Sequence, residues 1–490
     1  MTTNEHRSVL PVPELESGTK DWNDGNSGND VTHRKRSWWY STLNQAFIIG
    51  LVAFLGPGMY NALGGLGAGG LASTTTWNNA TALLFAMLCV SCVFAPILIN
   101  LAPLKYTLAV SACTYAIYAA SLYCNSKNGN EWFLVLANAI NGIGSGLFFA
   151  TEGAVVIGYP EPEKRGRYIS IWVFMRNLGP IVGGAILLGL NISTKGTGSV
   201  SLNSYAAIMS IMCLCPFVAL LLASPERVQR KDGSKIVVTK TNAKTELKRT
   251  LTFLSSRKVL LLLPIFFTSW FYDSYISTFG ATYFTVRSRA LSSFLTPFAG
   301  NIGSILVGWI LDSKYGRRSI RARYVFVAII VFQFALWIWT AILQSKFDKS
   351  PPKLDWTSAH YGRAYAMVFF WNLEGLAFQS FLYWLTGTLT NGLHELVHLT
   401  GILRGIEGAG QAVAYGLAGS SASKFVHIGL AIGLVVVSSV PAWLVVREVP
   451  DQLNHEQVLV LPVGVNSVEP FNEARVGETD ADDDVKARED

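Results

Sequence analysis

Residues 308–318 read GWILDSKYGRR, and this stretch decides the fold because it ends a long apolar run with an ordered set of polar residues. Gly308 allows a neighbouring helix to approach closely. Asp312 falls at a helix C-terminus, where the helix dipole disfavours a negative charge. Its carboxylate therefore needs a partner, either the N-terminus of another helix or the following arginines. We predict a gating latch that holds one face of a bundle shut, formed by Gly308, Asp312, Gly316, Arg317 and Arg318.

Apolar runs continue on both sides of this stretch. Half of the 490 residues are hydrophobic and 14% are charged, whereas an average soluble protein has about 25% charged residues. A helix needs about 20 mostly apolar residues to cross a bilayer. Twelve runs have that length: 44–63, 79–100, 104–124, 132–158, 168–190, 204–223, 259–284, 292–311, 323–343, 364–386, 402–421 and 425–446. The sequence thus predicts an all-α polytopic membrane protein with twelve transmembrane helices.

Basic residues indicate the orientation, because Lys and Arg are enriched on the cytoplasmic side of membranes. With the N-terminus inside, the inner segments hold 23 of them and the outer loops hold nine. We expect an integral multi-pass protein of the plasma membrane or an endomembrane, with both termini cytoplasmic. The expected segments are a disordered tail (1–37), a six-helix half (38–223), a basic linker (224–258), a second six-helix half (259–447) and an acidic disordered tail (448–490). A sequon at Asn191 falls in an outer loop and predicts a glycan there.

Further segments carry a resemblance to a known family. GPGMYNALGGLGAGG, at 56–70, closes the first run, YPEPEKRGRYIS covers 159–170, and RGIEGAGQAV covers 404–413. The glycines that we predict to pack closely against other helices are Gly56, Gly58, Gly64, Gly65 and Gly67. Residues 308–318 resemble the signature loop of the major facilitator superfamily. Over about residues 38–447, the chain resembles fungal members of the uncoordinated-ninety-three-like (UNC-93-like) family.

The resemblance implies a major-facilitator fold of two six-helix halves in a eukaryotic, fungal protein. Animal members of the family include potassium-channel regulatory subunits and a trafficking chaperone for Toll-like receptors, and most fungal members are candidate transporters without an assigned substrate. One feature departs from the superfamily pattern: the first-half loop, APILINLAPLKY at 95–106, lacks the Asp and the arginine pair.

Two functions follow from this resemblance. The leading interpretation is secondary-active transport of a small solute or ion by alternating access. The alternative is a non-transporting regulatory subunit or trafficking chaperone, with a channel or receptor as its partner, and the departing first-half loop fits it. Membrane lipids are expected partners in both cases. No motif predicts a nucleotide, another cofactor or a nucleic-acid partner.

Charged residues inside the predicted helices are functional candidates, because their transfer into lipid is costly. Glu152 and Arg176 lie at matching depths in neighbouring helices and predict an ion pair. Arg404 and Glu407 are three residues apart, so they can pair on one helix face. For these four residues we favour a structural role.

Uncharged and acidic residues define a second set of candidates. Asp273 and Glu374 have no evident partner, and an unpaired carboxylate at mid-depth suits proton coupling. By analogy with the superfamily, the first, fourth, seventh and tenth spans line a central cavity. We expect these coupling and cavity candidates to face one another near the midplane: Asn138, Asn141, Asp273, Glu374 and Gln379.

One metal motif occurs in the chain. His394-Glu-Leu-Val-His398 matches H-E-x-x-H, which places two histidines on one helix face for zinc. The position of a third ligand holds Arg404, which cannot bind zinc. The motif also falls in a predicted inner loop before the eleventh span. We therefore predict no catalytic residue and no enzyme, and keep a zinc-dependent intramembrane protease as a distant third hypothesis.

Overall fold

The structure, a computed structural model, describes residues 37–71, 73–99, 102–161, 164–230, 243–313, 315–390 and 393–451. Most of both predicted tails and the middle of the predicted linker lie outside these residues. The helices are α1 (Thr42–Gly65), α2 (Thr74–Ile99), α3 (Leu104–Asn128), α4 (Glu131–Gly158), α5 (Arg165–Asn191), α6 (Leu202–Leu220), α7 (Ala243–Leu254), α8 (Arg257–Tyr283), α9 (Val286–Leu311), α10 (Arg318–Lys349), α11 (Tyr361–Gly387), α12 (Leu393–Gly419) and α13 (Lys424–Val446).

Ten of these helices are long and apolar enough to cross a membrane, within the described residues: α1–α6, α8–α10 and α13. α11 and α12 coincide with the predicted runs at 364–386 and 402–421. Each has 27 residues, or about 40 Å at 1.5 Å per residue. Buried charged side chains lower their hydropathy, including Glu374 on α11 and Glu407 on α12. Composition therefore identifies ten spans and leaves the twelve-span count as a prediction.

Two helices are interrupted where they pass through the protein. α1 contains a π-helical turn, Phe54–Gly58, around Pro57, whose nitrogen cannot donate the regular helical hydrogen bond. α8 is broken at Ser269 and Trp270, between the helical segments Arg257–Thr268 and Phe271–Tyr283. The break in α8 turns these two side chains toward the polar residues of α11 and α12.

The first six helices (α1–α6) and the last six (α8–α13) meet along two main seams, α2 against α12 and α5 against α9. Glycines allow close contact there. A Cβ added at Gly184 on α5 would lie 2.7 Å from the Cα of Phe294 on α9. A Cβ at Gly408 on α12 would lie 2.9 Å from a methyl group of Leu88 on α2. Small side chains therefore let the seams close by direct helix contact.

Hydrogen bonds between the first six and last six helices are confined to one end of the bundle, within the described residues. This is the end that holds the loops after α1, α5 and α8, and we call it the predicted outer end. The Ala68 amide donates to Ser277 Oγ (2.9 Å), and Asn78 Nδ2 donates to the Thr278 hydroxyl (3.0 Å). The Val286 amide donates to the Gly196 carbonyl (2.9 Å). The two sets of helices are thus joined at the predicted outer end.

The predicted linker contains α7, which the sequence analysis did not anticipate. α7 is amphipathic, as expected for a helix that lies on a protein or membrane surface. It packs against α2, α8 and α12. Glu246 and Thr250 are its buried polar residues. The end of the linker is therefore attached to both sets of helices.

Candidate functional site

Two arginines from different sets of helices lie over one aromatic ring. The guanidinium carbon of Arg176, on α5, is 5.6 Å from the ring centroid of Phe149, on α4. The guanidinium carbon of Arg404, on α12, is 5.1 Å from the same centroid. Arg176 also lies over Trp172 at 5.4 Å. Each contact is a cation–π interaction, so α4, α5 and α12 meet at a doubly charged aromatic cluster.

The predicted Glu152–Arg176 ion pair is wrong for this conformation. Trp172 Nε1 donates a 2.8 Å hydrogen bond to Glu152 Oε1. No ion pair joins Glu152 to Arg176 in the described part of the chain, because Arg176 instead lies over Phe149 and Trp172. Charges on Arg176 and Arg404 still act electrostatically on Glu152. The matching depths of Glu152 and Arg176 in the sequence correctly predicted that they lie in one cluster. Depth alone could not predict which side-chain groups are in contact.

The predicted Arg404–Glu407 pair does form. Arg404 Nη1 donates to Glu407 Oε2 at 2.8 Å, and Ser269 Oγ donates to Glu407 Oε1 at 3.3 Å. With its amide oriented toward two donors, the Gln379 oxygen accepts from Arg404 Nη1 (2.9 Å) and Trp270 Nε1 (3.1 Å). The break in α8 supplies two of these partners, so α8, α11 and α12 share one polar network.

Glu374 on α11 is an isolated carboxyl group. Its residue is 1% exposed, and neither oxygen has a hydrogen-bond partner among the described residues. Tyr272 packs against the neighbouring Gly375, where an added Cβ would collide with the Tyr272 hydroxyl. A buried carboxyl group without partners is costly to ionise, which marks Glu374 as a functional candidate.

Asp273 differs from the prediction, which gave it no partner. The Tyr415 hydroxyl, on α12, donates to Asp273 Oδ2 at 2.9 Å. Tyr60 on α1 also lies within electrostatic range of Asp273. Asp273 is therefore held at the seam between the two sets of helices.

The five predicted cavity residues do not form one hydrogen-bonded cluster. Asn138 Nδ2 donates to the Leu134 carbonyl of its own helix (2.8 Å), and Asn141 Oδ1 accepts from the Thr114 hydroxyl on α3 (3.1 Å). No hydrogen bond within the described ranges joins any two of Asn138, Asn141, Asp273, Glu374 and Gln379. Both asparagines keep one buried amide atom without a partner. The helical period alone could not show that Asn141 faces α3.

The predicted latch is not closed in this structure. Asp312 caps the C-terminus of α9 and is exposed, and its carboxylate forms no ion pair with Arg317 or Arg318 among the described residues. Arg318 instead lies over Trp384, 4.9 Å from the ring centroid. Gly308 has no atom within 4 Å of an added Cβ, so the predicted close helix contact there is wrong.

A different carboxylate occupies the helix N-terminus beside this loop. Asp451 Oδ1 accepts from the Ser319 amide, in the first turn of α10, at 2.9 Å. Hydrogen bonds from the Ser319 side chain and then from its amide hold the pKa of Asp451 below its usual value, as expected for an anion at a helix N-terminus. Gly316 has a φ of +76°, a conformation that favours glycine. The loop is thus shaped by Gly316 and tied to the end of α13 through Asp451.

The H-E-x-x-H segment lies in the first turns of α12 rather than in a loop. The side chain of His394 lies outside the described residues. His398 is buried, with Nε2 3.1 Å from Glu246 Oε2 and Nδ1 3.1 Å from the Thr250 hydroxyl, both on α7. Both ring nitrogens therefore contact α7. No group of three or more His, Cys, Asp or Glu that could hold a metal occurs within the described ranges.

The sequence analysis missed one buried residue. It is surrounded by the glycine-rich end of α1 and the loop that follows. Arg289, at the start of α9, is 1% exposed. Its guanidinium donates to the carbonyls of Leu66 (2.7 Å), Gly67 (2.7 Å), Leu71 (3.3 Å) and Gly198 (2.8 Å). We call these four carbonyls the Arg289 cradle. It joins α9 to two loops of the first six helices at the predicted outer end.

The predicted close-packing glycines have different roles. Gly56 faces Tyr115 and Cys215, Gly58 faces the backbone of Gly179, and Gly65 faces Ser293. Gly67 has a φ of +69° and shapes the Arg289 cradle, whereas Gly64 has no atom within 4 Å of an added Cβ. The prediction of close packing at Gly64 is therefore wrong.

The glycan prediction at Asn191 is also wrong for the folded chain. Asn191 is fully buried. Its Nδ2 donates to the Leu187 carbonyl (2.8 Å) and to Ser204 Oγ (2.6 Å), and its Oδ1 accepts from the Ser201 amide. A sugar on Nδ2 would displace these partners, so Asn191 closes the end of α5 instead.

Comparison with solved structures identifies the class of fold. The D-xylose-proton symporter matches with a TM-score of 0.57 and 14% identity, over 85% of this chain and 99% of that one. A POT family transporter in complex with a thioalcohol-conjugated peptide matches with a TM-score of 0.57 and 12% identity, over 82% of this chain and 95% of that one. The chain thus has the fold of major-facilitator transporters.

Sequence comparison identifies the family. The model described as "Ion channel regulatory protein UNC-93" matches residues 76–343. Notoamide biosynthesis cluster protein O' of Aspergillus versicolor is 37% identical over 392 residues, 79% of this chain and 85% of the relative. UNC93-like protein 1 of Arabidopsis thaliana is 30% identical over 398 residues, 79% of this chain and 86% of the relative. The protein belongs to the UNC-93 family and is an integral membrane protein.

Proposed function

We propose that the protein is a secondary-active transporter that moves a small solute or ion by alternating access. The observation that carries this proposal is the one-sided distribution of hydrogen bonds between the first six and last six helices. All hydrogen bonds between the first six and last six helices, within the described residues, lie at the predicted outer end. Alternating access requires two sets of helices that separate at one end while they meet at the other.

The proposal includes the predicted topology. α1–α6 and α8–α13 would form two six-helix halves, at 38–223 and 259–447, with both termini cytoplasmic. The Arg289 cradle would then close the outer gate. Asp312 and Arg317 would form the inner latch in the opposite conformation, when the inner ends of the helices meet.

Glu374 is the proposed coupling group. A carboxyl group that is buried without partners favours its neutral form, and movement of α11 would expose it to water and release the proton. Asp273 is a second candidate, but it already has a hydrogen-bond partner in Tyr415. Glu374 is therefore the sharper target for a test.

We expect Glu374→Gln to abolish proton-driven uptake while solute exchange across the membrane is retained, because Gln cannot release a proton. The measurement uses full-length protein in liposomes that enclose a pH-sensitive dye, with a panel of solutes added outside. Glu395→Gln, an exposed position at the start of α12, is the matched control. Uptake that still acidifies the Glu374→Gln liposomes would remove Glu374 from the mechanism.

A regulatory subunit is the second candidate function, and the description of the matching family model favours it. In this case the bundle would bind a channel or receptor, and solute flux would be absent. Affinity purification of the full chain from native membranes tests it. A stoichiometric channel or receptor partner, together with no flux in liposomes, would replace the transport proposal.

A further inference from the structure

The guanidinium of Arg176 contacts aromatic rings and no polar group among the described residues. It donates no hydrogen bond and joins no ion pair in the described part of the chain, and its contacts are the rings of Phe149 and Trp172. A guanidinium carries five N–H donors, and because Arg176 is only partly buried, these donors are open to an acceptor. The rings of Phe149 and Trp172 hold this guanidinium in place but are poor hydrogen-bond acceptors. The guanidinium is therefore suited to bind an acceptor that comes from outside the chain.

Arg404 brings a second guanidinium to the same ring. The separation of the two guanidinium carbons cannot exceed the sum of their distances to the Phe149 centroid, 5.6 and 5.1 Å. Arg404 uses Nη1 for Glu407 and Gln379 and keeps 20% of its side chain exposed. Both charges also act on Tyr383 of α11. The two arginines therefore lie against one aromatic ring, one from each set of helices.

Acidic groups balance this charge. Glu407 accepts directly from Arg404, and Glu152 accepts from Trp172 within electrostatic range of both arginines. Two arginines and two glutamates give a cluster of zero formal charge. Arg176 is the member whose charge lacks a hydrogen-bonded counterion among the described residues, so an added anion would bind next to it.

We propose that Arg176 and Arg404 bind the carboxylate of an organic acid, with the body of the ligand against Phe149 and Trp172. This inference rests on the proposed transport function and assigns its substrate class. The planar guanidinium fork matches a carboxylate through two parallel hydrogen bonds. The aromatic rings offer apolar surface beside the charge, which is the usual composition of a small-molecule site.

The position of the site agrees with this assignment. Arg176 and Trp172 come from α5, Phe149 from α4, and Arg404 from α12, so a bound carboxylate would contact both sets of helices. Each of these four residues is only partly buried, whereas the predicted outer end is closed by the Arg289 cradle. A ligand that bridges Arg176 and Arg404 would couple its own binding to the approach of α5 and α12.

The test is equilibrium binding to purified full-length protein in nanodiscs. The probes are three carboxylates, acetate, phenylacetate and indole-3-acetate, each paired with its neutral amide, and inorganic phosphate. We expect saturable binding of phenylacetate or indole-3-acetate and none of the matching amides. Arg176→Gln should weaken this binding about ten- to a hundredfold, the range for loss of a charged hydrogen bond.

Glu152→Gln provides a gain-of-affinity control that misfolding cannot imitate. Gln keeps an oxygen that accepts from Trp172 and removes one negative charge, so phenylacetate should bind several-fold more tightly. Equal binding of acids and amides, absence of binding by all three carboxylates, or an unchanged affinity in both variants overturns the proposal. Phosphate binding that exceeds carboxylate binding and is lost in Arg176→Gln would also overturn the assignment to organic acids.

Flux measurements separate this inference from the proposed function. Carboxylate binding that depends on Arg176, without uptake into liposomes, would leave the site standing and reject transport. Uptake of a neutral or cationic solute that is unaffected by Arg176→Gln would leave transport standing and reject the site.

Discussion

Arg289 shows how a buried cation is stabilised by backbone carbonyls alone among the described residues. Four carbonyls accept its hydrogen bonds, and three of them come from the segment at 66–71. Arg289→Leu would remove every donor while leaving the acceptors in place. An unsatisfied buried acceptor costs about 1–3 kcal/mol, although water from the outer side would satisfy some of the carbonyls.

We expect Arg289→Leu to lower the Tm of the purified protein by about 2–5 °C. It should also increase labelling of a cysteine placed at Ser277 by a membrane-impermeant thiol reagent, in a background without the six native cysteines. Arg363→Leu, an exposed arginine at the start of α11, is the control. Equal labelling of the two variants would show that the cradle does not hold the predicted outer end closed.

The Arg287–Asp355 pair gives a prediction about pH. Arg287 Nε donates to Asp355 Oδ1 at 2.6 Å, and the Thr285 hydroxyl donates to the same oxygen. The hydrogen bond from Arg287 holds the pKa of Asp355 well below its usual value. Because the folded pKa is depressed, the stabilisation is present above the unfolded pKa, near 4, and is lost as the pH falls through the folded pKa.

Asp355→Asn should therefore lower the Tm by about 1–3 °C at pH 7, with the same difference from wild type at pH 5. Thermal unfolding at the two pH values measures this. Asp312→Asn is the matched control, since that exposed carboxylate has no ion pair among the described residues. A Tm difference that disappears by pH 5 would contradict the depressed pKa.

At the residue scale, the charged residues of the site could be predicted from the sequence more reliably than their partners could. Arg404 and Glu407 pair because both lie on one helix, where spacing fixes the geometry. Glu152, Arg176 and Asp273 have partners that depend on how separate helices pack. Arg289 was missed because its acceptors are backbone carbonyls, which every residue carries and no motif reveals.

At the scale of elements, α7 is the main addition to the predicted fold. Its attachment to α12 depends on His398, which contacts Glu246 and Thr250 and stacks against Phe253 at 5.8 Å between ring centroids. The segment was predicted as a basic linker because positive residues dominate its composition. The buried face of α7 is short. Its role becomes evident only from the surfaces of α2 and α12 against which it packs.

We expect His398→Ala to release α7 from α12, so that the amides of α7 exchange hydrogen at least about tenfold faster. Hydrogen–deuterium exchange with mass spectrometry of the full chain measures this directly. His360→Ala, at an exposed position before α11, controls for loss of a histidine. Unchanged exchange in His398→Ala would mean that apolar contacts alone hold α7.

At the scale of the whole molecule, the seam between α5 and α9 controls how the two sets of helices meet. A Cβ added at Gly184 would lie 2.7 Å from both the Cα of Phe294 and the carbonyl oxygen of Ser293. Backbone atoms cannot move aside as a flexible side chain can, so Gly184→Ala should push α5 away from α9. A Cβ at Gly189, on the same helix, meets no atom within 4 Å.

Gly184→Ala should therefore widen the predicted outer end, and Gly189→Ala should not. Spin labels at Lys195 and Lys353, both exposed in loops of that end, would report the change as a shift to longer distances. Identical distance distributions in the two variants would show that this seam does not set the closure. The ten apolar spans of the described residues could be predicted from hydropathy, whereas the closed end depends on contacts between distant segments.

The Arg289 cradle links two parts of the chain that are more than 200 positions apart. Its loop holds four consecutive residues in the left-handed region, Gly67, Ala68, Gly69 and Gly70, with φ values from +46° to +82°. Such a backbone is costly for most residues, and its carbonyls converge on one guanidinium. We therefore expect the arginine and the glycines to covary during evolution: a lineage that replaces Arg289 would lose the selective pressure that maintains this loop.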